Sequence, residues 1–256
     1  VRLFEIKATP PLPSASKQPP SLSLHFSNAA SQKQIEILFT PAIKRVIDPN
    51  HYVVKREGLA FEDAIKNGRA ATLRDPQSGE VFALSMAYPV FSKHSKNHDF
   101  TEIGTSQTRL GGFRCAQIVI AALSLKEWLN NRPRDSIVTE ILPDNGASLH
   151  AYKNALGWQA IEDKDKTKRL HILCNETISA EDKGRHTIWF EAAPPTLKTM
   201  AALLLRYMDN GYLQNRKTGE SIRLDLSALA TVGLTRTVLE QIATNQRAKP
   251  PTPQHK

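Results

Sequence analysis

Two adjacent glycines lie between two arginines in the run Arg109-Leu110-Gly111-Gly112-Phe113-Arg114. Glycine lets the backbone turn tightly and approach a ligand closely. The residues behind this run read as a helix. The first amides of a helix have no partner within it, so phosphate oxygens can take them. Arg109 and Arg114 add guanidinium groups suited to phosphate. A bare strand-to-helix turn uses the same glycines, and both readings stand at this point. Two ionisable side chains flank the turn, Glu102 before it and Tyr152 after it. A carboxylate becomes a useful base only when burial raises its proton affinity. A strand-end glutamate and an amphipathic core tyrosine are the bland alternatives. Asn145 and Ser148, just ahead of Tyr152, offer polar groups to a ligand or simply build the turn there.

These residues need a frame. Thr101–Ser106 reads as a short strand leading into the glycine turn. The helix behind the turn carries Ile118, Ala122, Leu125 and Leu129 at helical spacing and stops at Asn130-Asn131-Arg132-Pro133. Ser136–Leu142 is rich in β-branched residues and predicts a second strand. Pro143-Asp144-Asn145-Gly146 turns the chain, with Asp144 or Asn145 as a cap for a helix over Ala147–Ala155. The unit is strand, turn, helix, strand, helix, the organisation of an α/β domain.

This unit resembles the GCN5-related N-acetyltransferases. Their main motif is Gln/Arg-x-x-Gly-x-Gly/Ala, between the fourth strand and the third helix. Arg109 and Gly111-Gly112 supply the arginine and the middle glycine, while Arg114 replaces the last small residue. A second motif is Asn-x-x-Ala/Ser-x-x-x-Tyr followed by Gly-Phe. Asn145, Ser148 and Tyr152 keep its spacing, and Gly157-Trp158 stands for Gly-Phe with one residue inserted before it. The likeness covers roughly Gln32 to Glu191. It implies a mixed-sheet α/β acyl-CoA fold with a C-terminal helical extension. The implied activity is acetyl transfer from acetyl-CoA to an amine of a small molecule or protein. Glu102 is then the residue that takes the amine proton, and Tyr152 the one that protonates the coenzyme A sulfur. Arg109, Leu110, Gly111, Gly112, Phe113, Arg114, Asn145 and Ser148 hold the cofactor. The strand through Glu102 must splay from the one ending near Leu142 for coenzyme A to enter. A non-catalytic acyl-CoA-binding or structural module is the alternative that Arg114 and the inserted residue motivate.

The chain has 256 residues, 40% hydrophobic and 23% charged, ordinary globular usage for a large domain or a domain with an appendage. Its net charge of +9 favours an acidic partner without naming one. Cys115 and Cys174 have no second Cys at metal-ligand spacing, so no metal is expected. They read as core thiols, which suits a reducing compartment such as the cytoplasm. No run is apolar enough to span a bilayer, and the first residues show no signal-peptide pattern. His94 and His98 fall in the polar loop Phe91–Asp99, which reads as a solvated hairpin tip.

The remaining segments complete the frame. Val1–Ile6 is a candidate edge strand and Pro10–Ser31 a proline- and serine-rich linker. Gln32–Ile47 and Gly58–Asn67 predict helices, the second closed by Gly68. Ala70–Arg74 and Glu80–Val90 predict a hairpin around Asp75–Gly79. Past Trp158, strands are expected at Gln159–Glu162, Leu170–Cys174 and Thr187–Phe190, with a charged turn over Asp163–Lys168. Pro194-Pro195 marks a boundary, so residues 32–193 form the expected acyltransferase domain and 194–248 a helical cap ahead of a short tail. The cap has a stripe of Leu197, Ala201, Leu204 and Met208, then two short helices around Gly233. From Pro195 on, nine Lys/Arg face four Asp/Glu. With Thr235, Arg236 and Thr237 behind the Gly233 turn, nucleic-acid binding stays open beside the cap reading.

Overall fold

The computed structural model describes residues 21–39, 59–91, 98–130, 136–174 and 186–244. Its frame is a mixed sheet whose strands follow the order β6-β7-β5-β4-β3-β2-β1-β9-β8. These are β1 Ser21–Phe26, β2 Ala70–Arg74, β3 Val81–Phe91, β4 His98–Thr108, β5 Ser136–Ile141, β6 Gln159–Ala160, β7 Ile188–Glu191, β8 Tyr212–Gln214 and β9 Ser221–Asp225. Neighbours run antiparallel except β4 with β5 and β1 with β9, which are parallel. The α/β mixed-sheet class expected from the sequence is the one observed.

Helices cover both faces, as a sheet apolar on both sides requires. On one face lie α1 (Gln32–Glu36) and α2 (Leu59–Lys66). They bury Ile35, Phe61 and Ile65 against Leu84, Met86 and Tyr88. On the other face lies α3 (Cys115–Asn130), buried along most of its length from Cys115 to Glu127. It is covered all round because α6 (Pro194–Asn210) packs on its outer side while β2, β3 and β4 hold its inner side. The proline pair begins α6, a position where a missing N–H costs nothing. Gly211, with φ +68°, ends it.

Three expectations are corrected. The linker read from Pro10 to Ser31 gives way to β1 from Ser21 on, where Leu22 and Leu24 are buried. Leu-Ser-Leu alternation has the period of a strand with one inward face, and that outweighs the proline and serine around it. Val1–Ile6 lies outside the described residues.

The charged turn at Asp163–Lys168 and the strand at Leu170–Cys174 are together one helix, α5 (Lys164–Cys174). Asp163 starts it by accepting from the N–H groups of Asp165 (2.9 Å) and Lys166 (3.0 Å). Leu170 and Leu173, three apart, then face Phe100 and Trp189. A helix end satisfied by a carboxylate cap reads in sequence like a polar turn.

The stretch after Pro194 is not helical alone. Between α6 and the short helices α7 (Ala228–Thr231) and α8 (Arg236–Thr244), β8 and β9 extend the sheet past β1. Leu229, Leu234, Leu239 and Ile242 are buried in the main core. Thr235 accepts from the Val238 N–H at the start of α8, and Arg236 pairs with Asp209 and Glu240.

The place of β1 inside the sheet predicts a core penalty at a position the composition marks as linker. Leu22→Ala is expected to cost about 2–5 kcal/mol, the range for emptying a buried leucine site. Urea unfolding checks it; a cost below 0.5 kcal/mol is the linker outcome.

Candidate active site

The site begins where β4 and β5 part. They pair from Phe100–Glu102 to Ser136–Val138, and past Glu102 no further pairing joins them although β4 runs on to Thr108. A bulge in β4 accompanies the parting. Leu84 pairs with Gln107 but Met86 pairs with Gly104, so β4 has an extra residue opposite Ser85. Thr105 takes φ +52°, and its hydroxyl lies 2.9 Å from Tyr88 Oη. Bulges bend a strand and sharpen its twist. This splay is the feature the resemblance requires for coenzyme A to enter.

At the far end of β4 the chain makes the glycine turn and enters α3. Gly112 has φ +84° and Arg114 φ +60°. Residues alternating in the left-handed region turn successive amides toward one point, an anion-binding arrangement. An arginine there carries a Cβ penalty of roughly 1–2 kcal/mol. Leu110, Gly111, Gly112 and Arg114 line a cleft bounded by the end of β4, the start of α3 and the segment from Asn145 to Tyr152. Arg109 and Phe113 do not. The Arg109 guanidinium pairs with Glu80 and lies over the Phe82 ring, and Phe113 is a core side chain. Cys115, the first residue of α3, lies at the cleft, but burial pushes its thiol up to about 12, so it keeps its proton.

Across the cleft, Asn145 caps α4 (Gly146–Leu149) by accepting from the Ser148 N–H at 3.1 Å. The helix widens into a π turn over His150–Ala155. A π turn holds one residue more than an α turn, which accommodates the residue inserted ahead of Gly157. The chain then closes normally. Gly157, at φ +75°, donates to the Lys153 carbonyl and Trp158 to the Tyr152 carbonyl, each at 3.1 Å. The Tyr152 ring meets Trp158 edge-on, with centroids 5.2 Å apart.

Asn145, Ser148 and Tyr152 all line the cleft. Tyr152 Oη is 2.7 Å from Ser106 Oγ, and Ser106 Oγ is 2.8 Å from Ser85 Oγ. Three hydroxyls thus form a chain from the cleft into the sheet. Burial pushes the Tyr152 phenol up to about 12, and the Glu102 charge adds to the rise, while hydrogen bonds from Ser106 and Thr139 oppose it. Glu102 is buried, at the last rung that β4 shares with β5, and is not among the residues lining the cleft. The two proton-transfer candidates are therefore electrostatic neighbours at the point of splay.

The cleft has a volume of about 550 Å³, and no carboxylate among the described residues lines it. Several of its residues escape a reading from local pattern. Gln107 Nε2 and Gln117 Oε1 are buried without hydrogen-bond partners. Both side chains line the cleft, and buried polar groups are normally paired. Asn215, Arg216 and Lys217, from the turn between β8 and β9, also line it. Nothing local marks these residues; only the sheet brings them there.

A mixed sheet opened between two parallel strands, with a glycine turn and a helix N-terminus at the opening, is the layout implied by the likeness to GCN5-related N-acetyltransferases. No family model matches the chain, and no curated protein matches it. Among solved structures, the chain is similar to N-acetylglutamate synthase from Neisseria gonorrhoeae complexed with coenzyme A and N-acetyl-glutamate. The identity is 13% over 69% of this chain and 36% of that one, with a TM-score of 0.42. It is also similar to a mosquito arylalkylamine N-acetyltransferase like 5b, at 11% identity over 67% of this chain and 99% of that one, TM-score 0.42. A ribosomal-protein-alanine N-acetyltransferase from Brucella melitensis aligns at 15% identity over 54% and 85%, TM-score 0.40. The chain spans about a third of the length of the Neisseria enzyme.

Two outcomes follow from this geometry. Arg114→Gly removes a Cβ from a left-handed position, and a gain of about 0.5–1 kcal/mol in urea unfolding is expected. The second concerns Tyr152. Its phenol ionises near 10 in the unfolded chain and near 12 in the folded one. Its stabilising contribution is therefore complete below pH 10 and lost as pH rises toward 12. Tyr152→Phe should lack that share of the alkaline decline, read as a smaller fall in urea midpoint between pH 9 and pH 11 than the unmodified chain shows.

Proposed function

We propose that the protein is an N-acyltransferase that takes acetyl-CoA as acyl donor and an amine of a small molecule or protein as acceptor. The observation that carries this reading is the parting of β4 from β5 past Glu102, with Tyr152 on the opened cleft. The cleft also fits the donor on its own residues. It has Gly112 and Arg114 at the mouth of α3, no lining carboxylate among the described residues, and two buried glutamines, each with one amide atom left unpartnered.

Acetyl-CoA, when bound, supplies the acyl thioester. The amides of the glycine turn and Arg114 would hold its phosphates. Asn145 and Ser148, on the cleft lining, would bind its pantetheine arm. An amine attacks only as the free base, so a proton must leave it, and Glu102, buried at the last rung that β4 shares with β5, is the candidate to take it. Tyr152 Oη, held protonated by burial, offers a proton to the leaving sulfur. Ser106 and Ser85 stand behind it to pass a replacement.

The alternative, a non-catalytic acyl-CoA-binding module, draws on Arg109, which is paired with Glu80 rather than facing the cleft. Two experiments separate the readings. Isothermal titration with acetyl-CoA should give saturable micromolar binding; a folded sample that takes up none refutes both. Thiol release across a broad amine panel should then be detectable and should drop about 10²-fold in Tyr152→Phe with binding intact, the usual scale for a positioned proton donor. Binding with no release across that panel would establish the module.

A further inference from the structure

We infer that the hairpin of β8 and β9, within the C-terminal stretch, completes the cofactor site, its Arg216 and Lys217 receiving a third phosphate beyond the two held at the glycine turn. The inference rests on the acyl-CoA reading of the cleft and deepens it.

The hairpin is fastened to the glycine turn rather than lying loosely near it. Asn215 Nδ2 donates to the Gly111 carbonyl at 3.3 Å. A Cβ on Gly112 would lie 2.8 Å from Asn215 Oδ1, so the Asn215 side chain packs directly on the Gly112 backbone and would have to shift to admit any other residue there. Asn215 is itself buried, and its Oδ1 accepts from the Lys217 N–H at 2.9 Å. One side chain therefore shapes the hairpin tip and docks it. Gly112 is constrained twice, by φ +84° and by this contact.

Docking brings two exposed cations to the cleft. Arg216 and Lys217 line it together with Arg114. None of the three has an ion-pair partner among the described residues, whereas Arg109 and Arg236 are both paired with carboxylates. Cations left unpaired on a wall free of carboxylates suit a ligand with several negative charges. The amides at the start of α3 and Arg114 account for a diphosphate. Two further cations beside them suit a third phosphate on the same ligand, as on the ribose of coenzyme A. Independent of charge, Gln117 in the first turn of α3 points to a ligand as well. It is nine-tenths buried, lines the cleft, and its Oε1 has no partner.

The test uses the full chain and calorimetric titration with coenzyme A and with dephospho-coenzyme A, which lacks only the ribose phosphate. The unmodified chain is expected to prefer coenzyme A by about tenfold or more. Arg216→Gln/Lys217→Gln should lose most of that preference by weakening coenzyme A binding while leaving dephospho-coenzyme A nearly unchanged. The charge-matched Lys164→Gln/Lys168→Gln on α5 should keep the preference, which excludes a general charge effect. Thermal midpoints within 2 °C of the unmodified chain would confirm that the exposed substitutions leave the fold alone. A double variant that keeps the full preference, or weakens both ligands equally, overturns the assignment of the hairpin to the third phosphate. An unmodified chain that binds neither ligand refutes the acyl-CoA reading itself, an outcome distinct from either.

Discussion

Everything in the candidate site depends on two neighbouring parallel strands that cease to pair. A sheet gains from every rung of its ladder, so strands that begin pairing and then part need a cause. Here β4 stays paired with β3 on one side as far as Thr108, and its bulge at Thr105 bends it there. On the other side β5 finds its remaining partner in β7, through Val138–Ile141. The gap is thus built from outside, by the strands flanking the pair. Tyr152 and the glycine turn occupy its opposite walls.

The helices explain why so open a sheet can hold its shape. α3 is clamped between the sheet and α6, and the buried α3 core continues to the turn at its start. Rigid support under the glycine turn matters because aligned amides bind an anion well only when they are held in place beforehand. The second wall is held differently. Asn145 caps α4, the π turn takes up an extra residue, and Trp158 bonds back to Tyr152 through its N–H and its ring. The widened turn and the closure that follows keep the phenol at the cleft.

The C-terminal stretch binds these parts into one unit. α6 covers α3, β9 pairs with β1, and the hairpin tip reaches the glycine turn. Its helices bury Leu229, Leu234, Leu239 and Ile242, so the apolar positions around the Gly233 turn are taken up by packing. Thr235 and Arg236 are likewise engaged at a helix start and with Asp209.

The sequence by itself determined what depends on near neighbours. The glycine turn between strand and helix, the apolar stripe of α3, the cap at Asn145 and the β-branched β5 all follow from short-range spacing and propensity. Tyr152 was singled out by the resemblance, whose motif holds Asn145, Ser148 and Tyr152 within two helical turns, and all three line the cleft. The tertiary structure alone decided the rest. Arg109 turns to Glu80 rather than to the cleft, a choice set by an oppositely charged neighbour just ahead of β3. β1 is a strand because β2 and β9 flank it, although proline and serine dominate the residues before it. The meeting of Asn215 with Gly111 joins residues 104 positions apart. Local propensity carries no information about such a contact, because it forms only once the sheet has brought both ends together.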